Sequence, residues 1–276
     1  MIVRSALIIA LATTAAPPAR ACDLEEGQVR TAIDVVDGDT LLLDDRSELR
    51  LVGALRPAPP AAALAEADWP PAAEAKRTLM DMVLGRPLML QTEGRATDRY
   101  GRRQGQAFVL RDGVWEWVQG RMVEEGEARA TSFADARTCA AELVALEAAA
   151  RDAGIGLWAN PAYAVREAWK SGALTRDLGS YQIVEGLVKE AVDRKRRIYL
   201  DFGTDWREDF SVSIEPRDRH LFEEAGVDLL ALTGKRVRVR GWIESASGPT
   251  IRLTLPEQLE VLEGAAPGDA TPSSAP

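Results

Sequence analysis

The sequence predicts a mainly β protein, α+β in class, built as two small barrels in succession. Two observations carry this expectation. Short β-branched and leucine-rich runs, punctuated by turn formers, occur in the order three strands, one helix, two strands, and the same order returns in the second half. Five strands with a helix between the third and the fourth describe a Greek-key barrel of the OB type. A length of 276 residues and a hydrophobic content of 46% support two globular cores.

The elements follow in order. Residues 1–21 have a basic start at Arg4, a short apolar run from Ala6 to Ala16 and the ending Ala19-Arg20-Ala21, the pattern of a secretory signal peptide cut after Ala21. That run is too short to span a bilayer and no later segment reaches the length required, so the expected product is soluble or peripheral, periplasmic or secreted. Residues 28–158 read as the first barrel. The stretch TAIDVVDGDTLLLDDRSELRLVGA breaks at Asp37-Gly38 and at Asp44-Asp45 into a meander of three strands. A Pro/Ala-rich loop over 57–71 excludes regular structure. AAEAKRTLMDMVLG then places Ala75, Leu79, Met82 and Val83 on one helical face and stops at Gly85. Strands RPLMLQTE and GQAFVLRDGVWEWV follow, the second turning at Asp112-Gly113. Two helices close this half: one over 119–125 ended by Gly126, and one over 139–153 ended by Gly154, with the apolar stripe Leu143, Val144, Leu146 and Ala150. A linker over 159–179 leads to a second barrel over 180–263. There QIVEGLVKEAV, RRIYLDFG and DFSVSIE read as strands, RHLFEEAGVDLLAL as a helix, and KRVRVRGWIES and PTIRLTLPEQLEVL as two more strands. The tail 264–276 is poor in apolar residues and is expected to be disordered.

With the signal removed, 32 basic residues face 43 acidic ones, a net charge near −11. This balance weakens nonspecific attraction to a polyanion and counts against a dedicated nucleic-acid coat protein. It leaves room for a local basic cleft, and basic residues do cluster: Arg95, Arg99, Arg102 and Arg103, then Arg194 to Arg197, then Lys235 to Arg240. The two cysteines, Cys22 and Cys139, have three readings: a disulfide tying the new N-terminus to the late helix, a lipid on Cys22, or two unrelated thiols. The disulfide is favoured, because exported thiols tend to pair and an arginine beside the cut suits a lipoprotein signal poorly. His220, with no cysteine or histidine neighbours, argues against a zinc centre. The aromatics of the second half, Tyr181, Tyr199, Phe202, Trp206, Phe210 and Trp242, read first as core and second as a base-stacking surface.

Three fragments of the first half carry chemistry: VVDGDT at 35–40, RLVGALRPA at 50–58 and TDRYGR at 97–102. In this order, on a barrel whose terminal helix is followed by Gly-Leu-Trp, they resemble the thermonuclease, or staphylococcal-nuclease-like, family over about residues 32–158. The resemblance implies an OB-type barrel that hydrolyses phosphodiesters of DNA and RNA, with calcium as the cofactor and a nucleic acid or nucleotide as the partner; it identifies no protein partner. It places Arg50 and Arg102 at the two catalytic arginine positions, Asp39 at a metal-ligand position, and Tyr100 beside the substrate, with barrel filling as the alternative for that ring. A phosphodiester under attack gathers negative charge, which preorganised arginines stabilise, and a hard cation takes carboxylate oxygens.

The departure from the family pattern, R-L-x-G-I-D-A-P-E, is equally specific. Arg50, Leu51, Val52 and Gly53 agree and Pro57 holds the register, but Leu55 stands where the second metal-binding aspartate belongs and Ala58 replaces the glutamate that positions water. Losing a proton acceptor costs about 10² to 10⁴ in rate, and the calcium site is weakened as well. The first expectation is therefore an exported family member that keeps its phosphate pocket while hydrolysis is weak or lost. The alternatives are an active calcium-dependent nuclease that borrows an acid, with Glu66, Asp68 or Asp37 as donors, and a non-catalytic envelope module that binds proteins.

Overall fold

The computed structural model describes residues 22, 24, 27–59, 68–92, 97–205 and 207–262. The expected signal peptide and tail, and Glu66, Arg95 and Trp206, lie outside these. The first sheet contains β1 (Val29–Asp37), β2 (Thr40–Leu43), β3 (Glu48–Leu51), then, after the two-residue strand β4 (Ala54–Leu55) and helix α1 (Pro70–Val83), β5 (Pro87–Gln91), β6 (Arg103–Arg111) and β7 (Val114–Trp117). β1 pairs with β2 and β5, β2 with β3, and β5 with β6. Parallel pairing of β3 with β6, Leu49 opposite Arg103 and Leu51 opposite Gly105, closes the five strands into a barrel.

Local chemistry explains these boundaries. The first hairpin turns at Gly38-Asp39, and Arg46 at φ 67° turns the second. Asp112 at φ 50° and Gly113 at φ 82° give the β6–β7 hairpin the left-handed turn that matches strand twist. α1 buries Ala75, Leu79, Met82 and Val83, the expected face. It begins at Pro70, inside the stretch expected to be loop, because a proline in the first turn gives up no intrahelical hydrogen bond.

Helix α2 (Val118–Glu124), the short strand β8 (Arg129–Ala130) and helix α3 (Ala140–Asp152) complete the first half. α3 buries Ala140, Leu143, Ala150 and also Glu147, whereas Val144 and Leu146 of the expected stripe are only partly buried. A disulfide joins Cys22 to Cys139. It excludes lipidation of the Cys22 sulfur and ties the start of the described chain to the first residue before α3.

The segment expected as a linker carries structure of its own. Strand β9 (Arg166–Glu167) pairs with β10 (Tyr181–Leu187), and helix α4 (Ser171–Arg176) buries Leu174 in the second core. The expected first strand of this half is split at Val188-Lys189 into β10 and β11 (Glu190–Arg194). β12 (Arg197–Asp201), β13 (Ser211–Ile214), helix α5 (Arg219–Glu224), β14 (Arg236–Ser245), β15 (Pro249–Leu253) and β16 (Leu259–Leu262) follow. β10 pairs with β14 while β11 pairs with β12, so the split lets one bent strand serve both edges of a curled sheet. β13 runs parallel to β15, as β3 does to β6, and a helix again follows the third strand. The two halves share one connectivity. α5 is shorter than expected because Gly226, at φ 75°, ends it. The expected last strand is two, since Pro256 opens a 3₁₀ turn between β15 and β16.

Each half has its own apolar cluster, and polar contacts join them. Arg240 of β14, 1% exposed, pairs with the fully buried Glu147 of α3 and with Glu260 of β16. Glu147 also accepts the Ala130 N–H at 2.8 Å, and the Tyr181 hydroxyl donates to the Ala130 carbonyl at 3.0 Å. Burial opposes the charge on Arg240, but Glu147, Tyr181 and Glu260 outweigh it and hold its pKa above the ordinary value.

Three measurements follow from this architecture. Cys139→Ser opens a covalent loop of sequence separation 117, and unfolding in urea should show a loss of about 2 to 5 kcal/mol. Glu147→Ala leaves Arg240 short of its buried partner and should cost about 3 to 5 kcal/mol in the same assay. The third concerns Glu127, whose carboxyl burial pushes up to about 7, with Glu74 and Glu125 adding to the effect and Arg77 opposing it. A carboxyl raised on folding holds its proton more tightly in the folded chain, so its contribution is complete below the unfolded value and is lost as pH rises through 7. Glu127→Gln should therefore raise the urea midpoint at pH 8, and the gain should shrink by pH 4.5.

Candidate functional site

The hairpin between β1 and β2 builds the core of the site. Asp37 Oδ1 accepts the Asp39 N–H at 3.0 Å, and the Leu51 N–H donates to the Asp39 carbonyl at 2.8 Å, which fixes the turn against the end of β3. Gly38 is closely packed: a Cβ there would lie 3.1 Å from Ala75 Cβ and 3.2 Å from Arg56 Cβ, so these neighbours would have to give way. Asp39 is 1% exposed. Its Oδ1 accepts from the Thr40 hydroxyl at 3.0 Å, while Oδ2 is buried without a hydrogen bond.

Two guanidiniums face that oxygen. Arg50, opposite Thr40 in the β2–β3 register, lies 3.6 Å from Oδ2, and Arg56 lies 3.9 Å from it. Arg56 is also 3.5 Å from Asp37 Oδ2. Burial pushes the Asp39 carboxyl up and Asp37 adds to this, while Arg50 and Arg56 pull it down; the balance is upward. The side chains of Leu55 and Ala58 line the same cavity as Arg50 and Arg56 and carry no oxygen. The donor set does not fit calcium, which takes six to eight oxygen ligands: one carboxylate faces two cations, the other is engaged by Arg56 and by the turn, and among the described residues no cluster of three metal-ligating side chains occurs. Arg56 is itself a cation that, with Arg50, compensates the pair of aspartates.

Arg102 belongs to a separate turn. Its Nε donates to Asp98 Oδ2 at 2.8 Å and its N–H to Asp98 Oδ1 at 3.0 Å, while the Tyr100 N–H donates to the same Oδ1 at 2.8 Å. Burial opposes the Asp98 charge, but these hydrogen bonds and the Arg102 guanidinium outweigh it and hold the carboxyl below its usual value. Tyr100 is 67% exposed, so it does not fill the barrel, and its ring has Arg99 at 4.9 Å and Arg102 at 5.3 Å. The structure thus brings Arg50 to Asp39 and Arg102 to Tyr100; among the described residues no ion pair joins Arg102 to Asp39.

Beside Arg50 and Arg56 a cavity of about 310 Å³ opens between the barrels. Leu55, opposite Arg129 in the β4–β8 pairing, lines it together with Ala58, whose carbonyl accepts from the Tyr163 hydroxyl at 3.1 Å. Arg129 is buried, donates to the Tyr181 carbonyl at 2.6 Å and lies 5.3 Å and 5.0 Å from the Tyr163 and Tyr181 ring centres. Sequence reasoning missed Arg129 and the two-residue strands that carry it, because segments so short have no periodicity.

A family model described as Staphylococcal nuclease homologue matches residues 49–160. No curated protein matches the chain. The matched span runs from β3 through the turns after α3, and so covers most of the first barrel, with Arg50, Leu55, Ala58 and Arg102 inside it and Asp39 just before it. Residues 49–160 are thus similar in sequence to the staphylococcal nuclease homologues.

Proposed function

We propose that the first barrel binds the phosphate of a nucleic acid or nucleotide and that its capacity for phosphodiester hydrolysis is weak or lost. The observation that supports this reading most directly is the pair of guanidiniums, Arg50 and Arg56, turned toward the one Asp39 oxygen that has no hydrogen bond, where a metal-dependent nuclease would need further oxygen ligands. Two partly exposed guanidiniums suit a phosphate oxygen, since arginine donates in a planar fork that matches it. Neither Leu55 nor Ala58 can hold a cation or orient water. The candidates for a borrowed acid offer little: Asp37 is held by the turn and by Arg56, and Asp68 is exposed. Export to an oxidising compartment is part of the same proposal, supported by the disulfide between Cys22 and Cys139.

The test is a cleavage assay on the mature chain with and without calcium, beside the double variant Leu55→Asp, Ala58→Glu. Little or no cleavage by the natural chain is expected, with activity gained by the double variant. Calcium-stimulated cleavage by the natural chain that disappears in Asp39→Ala would instead establish a working nuclease. In parallel, binding of a labelled single-stranded oligonucleotide should weaken as salt rises and should fall about 10- to 100-fold in Arg50→Ala, the loss of a hydrogen-bonded charge worth about 1.5 to 3 kcal/mol. Unchanged weak association in Arg50→Ala at every salt concentration would favour a protein-binding role.

A further inference from the structure

The interbarrel cavity has a wall that the nuclease homologue domain does not supply. Trp242, on β14 of the second barrel, lies directly across the strand pair from Tyr181, its ring edge-on to the tyrosine with centres 5.9 Å apart. The indole is 52% exposed and lines the same cavity as Arg50, Arg56 and Arg129. A half-exposed indole beside three guanidiniums is chemically unlike a core residue or a random surface aromatic. An exposed indole can stack on something flat, and guanidiniums attract something negative.

The charge count points the same way. Of the three arginines at the cavity, Arg50 and Arg56 face two aspartates, Asp37 and Asp39. Arg129 stands differently: among the described residues no carboxylate forms an ion pair with it, Glu147 acts on it only at longer range, and its buried Nε has no hydrogen-bond partner. A buried guanidinium with an unmet donor is costly in a folded chain unless something else satisfies its field. The volume, about 310 Å³, is at the lower end of small-molecule sites. It suits one phosphate-bearing aromatic group, whereas in a duplex the base is already covered by its pair and its neighbours.

We propose that the second barrel completes the ligand site of the first: Trp242 stacks the base of a single nucleotide whose phosphate is held by Arg50 and Arg56. The ligand class is a nucleoside monophosphate or the phosphorylated end of a single strand, which share this chemistry. The inference rests on the phosphate-binding reading above, and the test separates the two.

The full mature chain is titrated by calorimetry with ribose 5-phosphate, a nucleoside monophosphate, a terminally phosphorylated single-stranded oligonucleotide and the matching duplex. The nucleotide should bind at least 10-fold more tightly than ribose 5-phosphate, and the duplex more weakly than the single strand. Trp242→Ala should remove most of the preference for the nucleotide while changing ribose 5-phosphate affinity less than 2-fold, and Trp242→Phe should keep most of the preference. Arg50→Ala should weaken both ligands together. Tighter binding of the oligonucleotide than of the monophosphate assigns the site to strand ends, and the reverse order assigns it to free nucleotides; either order supports the proposal. Equal affinity for ribose 5-phosphate and the nucleotide, a preference that survives Trp242→Ala, or equal affinity for the duplex would overturn it and leave the phosphate-binding reading standing. Failure of every phosphate compound to bind the natural chain would overturn both.

Discussion

The ion pair between Arg240 and Glu147 is the contact on which the arrangement of the rest depends. Both groups are out of water, and a charge in that position is tolerated only when its partner is present and its remaining hydrogen bonds are made. Glu147 meets this condition by accepting the Ala130 N–H as well as the Arg240 guanidinium. One carboxylate therefore holds β14 of the second barrel and β8 of the first at the same time. Because β8 pairs with β4, the position of Leu55 and of Arg129 opposite it follows from that carboxylate. The cavity exists because the barrels are held this way.

The same logic governs the aspartates of the first hairpin. Asp39 is as buried as a core residue and would be strongly disfavoured as an anion without cations facing it. In a metal-dependent site a divalent ion would be that cation. Here the compensation is covalent to the chain, through Arg50 on the neighbouring strand and Arg56 at the end of β4. A guanidinium cannot exchange ligands or lower the pKa of a bound water as a metal does. On the function proposed above, a side chain in the place of an ion keeps the electrostatic balance of the pocket and supplies no means of activating water.

The second barrel repeats the connectivity of the first without repeating its charge pattern. Its basic strand, Arg236 to Arg240, is tied to Glu185, Glu260 and Glu147 and so contributes to cohesion rather than to an open basic surface. Tyr181, Phe202 and Phe210 are core, in line with the first reading of the aromatics, whereas Trp242 is half-exposed at the cavity.

Much of this was legible in the residues. The Asp-Gly turns, the helix stops at Gly85, Gly126 and Gly154, the buried face of α1 and the order of strands in both halves all arise from interactions within a few positions, which leave periodic or punctuated traces. The motifs around Asp39 and Arg50, and the gaps at Leu55 and Ala58, were equally local. The tertiary structure alone decided where the lone charges went. Arg240 and Glu147 are 93 residues apart, and Arg129 meets Tyr181 across 52; pairings at such distances impose no pattern on the intervening chain. Arg56 shows the limit most clearly: its sequence neighbours fix its place on the strand end, but only the fold puts two aspartates within reach and makes it the counter-charge of the site.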